Sequence, residues 1–171
     1  MLQGVSDRDF ERLIYENQSL IISVCNVYAS TQADRDDLFQ EITLNLWKGL
    51  ASFKGKAKVS TWIYRVSLNT AISRVRKHKK SRVLYTEDVP EPAQSDLTDK
   101  GLESQFVALY RGINKLKPVE RAIVLLYLEE KSYEEISEIM GITKSNVSVR
   151  LVRLKRKLEK MIKASEKEGI Q

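Results

Sequence analysis

The sequence predicts an all-α protein in which two helical domains are joined by an acidic flexible linker. Apolar residues recur at every third or fourth position through both halves of the chain, which is the spacing that buries one face of an α-helix. The alternation typical of a half-buried strand is absent. Pro90 and Pro92 lie in a polar stretch, 83–101, and each biases the residue before it away from helix. We therefore expect domains at 1–82 and 102–171, with 83–101 as the linker.

The distribution of charge divides the chain at the same place. The net charge is +6, and basic side chains are concentrated in two blocks, 74–82 and 144–163. Between them, the stretch 83–101 carries five acidic residues and one lysine. The two basic blocks predict a polyanionic partner such as nucleic acid.

Composition excludes several classes of protein. Cys25 is the single cysteine, so an internal disulfide is impossible, and its apolar helical context indicates a buried, unreactive thiol. The single histidine, His78, sits among lysines, so a zinc site is not expected. No nucleophile with a histidine base and no glycine-rich phosphate loop is present. We therefore expect no enzyme activity, no metal, no cofactor and no small-molecule substrate.

Location is indicated by two further absences. No apolar run approaches the roughly 20 residues that a membrane span needs. The N-terminus lacks the basic segment and apolar stretch of a signal peptide. We expect a cytoplasmic protein without direct membrane insertion.

Three helices are expected in the first domain, at 7–29, at 34–50, and from Trp62 into the first basic block. A polar break, 30–33, separates the first two helices, and three acidic residues in the first turn of the second complement its dipole; they are Asp34, Asp36 and Asp37. The stretch 51–60 should be a loop, and Ser60 or Thr61 can cap the helix that follows it. The residues expected in the core include Leu38, Ile42, Leu46 and Phe53.

Four helices are expected in the second domain, at 102–116, 118–130, 133–140 and 144–163. Pro118 suits the first turn of its helix. Ser132 and Glu135 have capping-box spacing, and Gly141 suits the left-handed turn that ends a helix. Thr143 can cap the last helix. The domain therefore ends in helix, tight turn, helix.

The last helix has the division of faces that a DNA-binding helix-turn-helix requires. One apolar line is expected to be buried, and it consists of Val147, Leu151, Leu154, Leu158 and Met161. A small core around the turn is expected from Ile136, Met140, Ile142, Val147 and Leu151. The residues offered to DNA would be Lys144, Ser145, Asn146, Ser148, Val149, Arg150, Val152 and Arg153. Lys155 would lie on a flank near phosphate. The alternative is a solvated basic helix in an ordinary bundle.

Both halves resemble one protein family. The phrase 132–151 resembles the promoter-recognition domain of sigma factors (domain 4), although response-regulator output domains share much of this motif. The segment 34–50 resembles the helix by which sigma factors hold the clamp of RNA polymerase, and Phe53-Lys-Gly with 60–71 resembles the loop and helix that melt and read the −10 element. Together, over about 7–163, the chain resembles the extracytoplasmic-function (ECF) group of the sigma-70 family, which keeps only domains 2 and 4.

The resemblance implies a role for each segment. It places sigma domain 2, for polymerase binding and −10 recognition, at 1–82, and sigma domain 4, for −35 recognition, at 102–171. The implied contacts to core RNA polymerase are Asp37, Gln40, Glu41, Thr43 and Trp47. The implied −10 contacts are Lys56, Lys58, Trp62, Tyr64, Arg65, Asn69 and Arg76, with the rest of the first basic block holding phosphate. The implied partners are core RNA polymerase, promoter DNA and an anti-sigma factor.

Several alternatives stay open at this point. Trp47 could anchor an interface or lie half-buried at the edge of the core. Trp62 could wedge against unpaired bases or belong to the core. Asn69 could read an adenine or be a surface residue without a partner. The acidic linker suits an RNA mimic in the polymerase channel or a disordered tether. The alternative function is a stand-alone helix-turn-helix regulator, which would bind duplex DNA by itself.

Overall fold

The computed structural model describes the backbone of residues 6–81 and 100–168, and the side chains of 6–78 and 106–164. Within these ranges the chain forms seven helices and no strand, so the all-α prediction is confirmed. The helices fall into two compact units, one on each side of 82–99. The predicted linker, 83–101, lies outside the described residues except for Lys100 and Gly101, which already belong to the fourth helix.

The N-terminal unit is a three-helix bundle in which each helix packs against the other two. The helices are α1 (Asp7–Tyr28), α2 (Gln32–Leu50) and α3 (Val59–Ser81). Their inward faces form one apolar core, and the predicted burial of Leu38, Ile42 and Leu46 is confirmed. Further core residues are Ile21, Val24, Cys25, Ile63 and Leu68.

Two helix starts in this unit differ from the prediction. Thr31 caps α2, because its hydroxyl accepts the backbone N–H of Asp34 at 3.1 Å, so the helix begins at Gln32 and only Asp34 remains in the first turn. The helix α3 begins at Val59, so the expectation that Ser60 or Thr61 caps it is wrong. Both lie inside the first turn, where the Lys58 carbonyl accepts the N–H of Trp62 at 3.1 Å.

The C-terminal unit packs three helices around the fourth, long one. The helices are α4 (Lys100–Asn114), α5 (Pro118–Leu128), α6 (Tyr133–Met140) and α7 (Lys144–Glu168), and α7 contacts each of the others. Gly112 lies where α4 crosses α7: a Cβ there would be 3.1 Å from Leu158. Glu120 ties α5 to α7 by accepting a bond from Lys157 at 3.1 Å. Burial disfavours the charged form of Glu120, but this bond and the Lys117 N–H outweigh it and lower its pKa.

The helix-turn-helix prediction is confirmed in its local chemistry. Ser132 and Glu135 form the capping box of α6, Gly141 adopts φ 66°, and the Thr143 hydroxyl accepts the N–H of Asn146 at 3.2 Å. The small core around the turn is confirmed at Ile136, Val147 and Leu151, which are buried. It differs at Met140 and Ile142, which are only half-buried, and Ile139 is buried in addition.

Candidate nucleic-acid and protein interfaces

The five residues predicted to contact the polymerase clamp lie on one face of α2. At about 100° of rotation per residue, positions 37, 40, 41, 43 and 47 fall within an arc of roughly 160°. The buried line of Leu38, Ile42 and Leu46 lies on the other side of the helix. Asp37, Gln40 and Trp47 are exposed, while Glu41 and Thr43 are half-buried.

One end of this face is acidic and is tied to α3. Arg74 reaches across to three carboxylates: its Nη2 lies 3.6 Å from Asp34 and 4.0 Å from Asp37, and its Nη1 lies 3.5 Å from Glu41. We call these three carboxylates the acidic ridge. The expectation that Arg74 holds DNA phosphate with the rest of the basic block is wrong, because its guanidinium is turned toward α2. The side chains of 79–82 lie outside the described residues.

The other end of the face is apolar. Trp47 packs edge-on against Phe10 of α1, with ring centroids 4.9 Å apart and an interplanar angle of 71°, yet 43% of the residue stays exposed. The two rings border an open groove of about 520 Å³, here called the aromatic groove. Its other lining residues are Asp7, Glu11, Phe39, Gln40, Thr43 and Leu44. Trp47 therefore closes the edge of the core with part of its ring, and its role as an interface anchor stays a prediction.

The stretch 54–58, here called the lysine-rich loop, is flanked by two aromatic rings that stack on each other. Phe53 precedes the loop and Trp62 follows it, and their rings stack at 4.8 Å with an interplanar angle of 29°. Both residues are half-buried, so the core assignment of Phe53 holds only in part. Trp62 packs next to Gly49 of α2, where a Cβ would lie at van der Waals distance, 3.4 Å, from the indole. At the loop tip Gly55 adopts φ 67°, and Lys56 and Lys58 are exposed.

Four of the predicted −10 residues share one strip of α3. Trp62, Arg65, Asn69 and Arg76 fall within roughly 60° of one another around the helix. Trp62 is half-buried and the other three are exposed. Tyr64 is different: it faces the opposite side and is only 2% exposed, so the expectation that it stacks on an unpaired base is wrong. Its ring fills the core between the helices.

The outward face of α7 is as the sequence predicts. Val147, Leu151, Leu154 and Leu158 are buried, and Met161 is half-buried. Of the eight −35 candidates, six are exposed and two, Ser148 and Arg150, are half-buried. The exposed six are Lys144, Ser145, Asn146, Val149, Val152 and Arg153.

Three side chains at the edges of α7 already have protein partners. Lys144 forms an ion pair with Glu134 of α6, whose hydrogen bond lowers the pKa of that carboxyl. Arg150 donates from Nε to the amide oxygen of Asn146 at 2.7 Å. Lys155 donates to the Tyr127 hydroxyl at 2.8 Å, a bond that raises the pKa of Lys155. The expected phosphate role of Lys155 therefore requires that it leave Tyr127.

Sequence reasoning missed an apolar groove in the C-terminal unit. Its volume is about 420 Å³, and its apolar lining includes Leu109, Val124, Leu128, Leu158 and Ile162. Leu128 is half exposed, and Phe106 and Tyr110 of α4 are exposed as well. We call this the C-terminal groove. A signal for this groove was present in the sequence, because α4 and α5 carry more large apolar residues than a single buried stripe on each helix requires.

The remaining chemistry of the described residues is limited. No group of three or more His, Cys, Asp or Glu side chains among them is arranged to hold a metal ion. Of the described helices, none combines the length and apolar character that crossing a bilayer demands. Cys25 is buried in the core, and this burial raises the pKa of its thiol to about 11.

Comparisons with known proteins give a consistent result for both units. The family model of sigma-70 region 2 matches residues 13–81, and that of sigma-70 region 4 matches residues 106–158. The RNA polymerase sigma factor YlaC of Bacillus subtilis is 32% identical in an alignment of 143 residues that covers 78% of this chain and 81% of that protein. The ECF RNA polymerase sigma factor SigM of Mycobacterium tuberculosis is 26% identical over 156 residues, covering 90% of this chain and 76% of the relative.

Solved structures with the same fold are also found. The sigma factor RpoE of Bartonella quintana, determined in complex with the anti-sigma factor NepR, matches with a TM-score of 0.71 at 20% identity and covers 91% of this chain and 98% of its own. CnrH, determined in complex with the cytosolic domain of CnrY, matches with a TM-score of 0.65 at 18% identity, covering 93% and 90%.

Proposed function

The chain belongs to the sigma-70 family of RNA polymerase sigma factors, in its ECF group, and from this premise we propose how its surfaces divide the work of initiation. The N-terminal unit, about 1–82, binds core RNA polymerase and opens the −10 element, and the C-terminal unit, about 102–171, reads the −35 element. The stretch 83–101 connects them. Sigma factors are non-catalytic initiation factors, and we propose that this chain has no active site and acts in the cytoplasm.

The observation that carries the proposal is the single exposed face of α2. Asp37, Gln40, Glu41, Thr43 and Trp47 emerge together there. A side that combines an acidic ridge with an aromatic groove suits a helical protein partner with both basic and apolar side chains. A regulator that acted only through duplex DNA would have no use for such a face. We propose that it contacts the polymerase clamp.

The −10 function is assigned to the lysine-rich loop and the strip of α3. Lys56, Lys58, Arg65 and Arg76 supply positive charge for phosphates of separated strands. Asn69 lies exposed between the two arginines, and an asparagine amide can bond bidentately to adenine. Trp62 belongs to the same strip and is only half-buried, so part of its ring is available for stacking on a base.

The −35 function is assigned to the outward face of α7. Small side chains near its start, Ser145 and Ser148, allow the helix to approach the major groove closely. Arg153 can reach a guanine edge, and Val149 and Val152 can contact thymine methyl groups. Lys144, Asn146 and Arg150 lie at the start and side of the helix, where they can contact the backbone or neighbouring bases.

An anti-sigma factor is the third proposed partner. The aromatic groove and the C-terminal groove each leave apolar side chains open to solvent, and an amphipathic helix is one kind of partner that covers such a surface. An anti-sigma factor that filled them would block access to polymerase. The two structural relatives described above were both determined with a bound partner.

The test is co-elution of the purified chain with core polymerase on size exclusion. We compare the wild type with Asp37→Ala/Gln40→Ala and with a matched control, Glu16→Ala/Gln18→Ala, which removes the same kinds of group from an exposed part of α1. Co-elution that weakens only in the first variant supports the proposal. Absence of co-elution, with tight salt-sensitive binding of duplex DNA by the chain alone, would favour a stand-alone regulator instead.

A further inference from the structure

Arg74 occupies a position between the two working surfaces of the N-terminal unit. It belongs to α3, whose exposed strip is assigned to −10 DNA, but its guanidinium reaches the acidic ridge of α2. Only 20% of the Arg74 side chain is exposed, whereas the three carboxylate side chains are 43–68% exposed. The arginine therefore lies beneath the ridge, and the carboxylates remain open to a partner from outside.

The ridge needs such a cation to keep its shape. Asp34, Asp37 and Glu41 stand at positions i, i+3 and i+7 of one helix, so their carboxylates project side by side. Like charges at this spacing repel one another. A guanidinium presents five donors in a rigid planar fork, so one Arg74 can face all three groups in a fixed arrangement. A lysine ammonium is a compact charge with three donors on a flexible stem, so it would orient them less well.

Arg74 does not neutralise the ridge. Three carboxylates and one guanidinium leave two negative charges, so the surface still attracts a cationic partner. The distances of 3.5–4.0 Å are those of a loose cluster rather than a tight bidentate pair. Because the carboxylates are 43–68% exposed, water and salt screen these ion pairs, which therefore add little to folding stability. The cluster is therefore better suited to orienting side chains than to holding the fold.

We propose that Arg74 is a positioning residue for polymerase binding, which orients Asp37 and Glu41 from beneath so that α2 presents a preformed acidic surface. The inference rests on the proposed function of the α2 face and names a residue outside that face. Preformed side chains lose less freedom when the partner binds, and this raises affinity without any direct contact by Arg74. The same residue joins the clamp-binding helix to the −10 helix.

The experiment measures core polymerase affinity for the wild type, Arg74→Gln, Arg74→Lys and Arg12→Gln. Arg12 is the matched control, because it forms an ordinary exposed ion pair with Asp9 on α1, and its loss changes the net charge equally. We expect Arg74→Gln to bind about fivefold more weakly, Arg74→Lys to fall between it and the wild type, and Arg12→Gln to bind as the wild type does. Melting temperatures are recorded for all four.

Several outcomes would overturn the inference. Unchanged or tighter binding by Arg74→Gln would show that Arg74 has no positioning role or competes with the partner for the ridge. An equal loss of affinity in Arg12→Gln would show that the effect comes from net charge alone. A loss of affinity that parallels a fall in melting temperature would show that Arg74 has a purely structural role. Failure of the wild type to bind would overturn the proposed function itself, and this inference with it.

Discussion

The two helices assigned to DNA, α3 and α7, bury very different shares of their surface. Between positions 61 and 72, eight of twelve α3 residues are buried, whereas between 147 and 158 only four of twelve α7 residues are. The buried set of α3 includes the polar Thr61, Ser67 and Thr70, while that of α7 is wholly apolar. A helix that divides into one apolar stripe and one open face can be interpreted from its spacing alone. A helix that buries a wide arc of its circumference, polar residues included, cannot.

The largest effect that tests this comparison is expected from a pair of matched core truncations. Leu68→Ala in α3 and Leu151→Ala in α7 each remove a side chain that is almost fully buried, so each should destabilise its own unit by about 3 kcal/mol. Both tryptophans, Trp47 and Trp62, lie in the N-terminal unit. We expect Leu68→Ala alone to lower the urea midpoint seen by tryptophan fluorescence, while circular dichroism detects both. Equal effects of the two variants on fluorescence would show that the units unfold together.

The thiol of Cys25 gives a second test of the enclosed bundle. Its pKa is raised from 9.0 to about 11, so at neutral pH the native thiolate fraction is about 100-fold lower than in the unfolded chain. The neutral thiol therefore favours folding below pH 9, and this contribution is lost as pH rises through about 11. We expect almost no labelling by a thiol reagent at pH 8 until urea unfolds the N-terminal unit. Rapid labelling of the native chain would contradict a closed core.

Arginines on the two DNA helices should differ in what they recognise. Arg153 lies on the open face of α7, and its replacement by alanine should cost about 1–3 kcal/mol at one base pair of the −35 element and relax the preference there. Arg65→Ala on α3 should weaken promoter binding by the holoenzyme uniformly across −10 sequences. Binding to promoter libraries with single substitutions separates the two effects. Loss of base preference in Arg65→Ala would reverse the assignment.

The smallest expected effect concerns the turn before the helix-turn-helix. Glu130 is the one described non-glycine residue with positive φ, at 57°, and side chains other than glycine are strained there. Glu130→Gly should therefore stabilise the C-terminal unit by about 1 kcal/mol and leave the fluorescence transition of the other unit unchanged. Urea unfolding followed by circular dichroism measures it, with Glu138→Gly inside α6 as the control. A destabilised Glu130→Gly would show that the side chain makes a favourable contact.

Most of the fold follows from local sequence signals. The capping box of Ser132 and Glu135, the left-handed Gly141 and the cap at Thr143 each involve residues within a few positions of one another, so all three could be predicted and are confirmed. The start of α3 could not, because three lysines and Gly55 before it carry no cap signal. Ser60 and Thr61 looked like caps, but both lie inside the first turn.

The sequence by itself determined the seven helices, the division into two units and the outward face of α7, because each depends on spacing along the chain. The tertiary structure alone decided which side chains of the N-terminal unit are available. It buried Tyr64, stacked Trp62 on Phe53 and turned Arg74 from the basic block toward the acidic ridge. Those outcomes depend on residues that the fold brings together from different helices. The spacing of residues within one helix carries no information about the distances to those neighbours or about their charges.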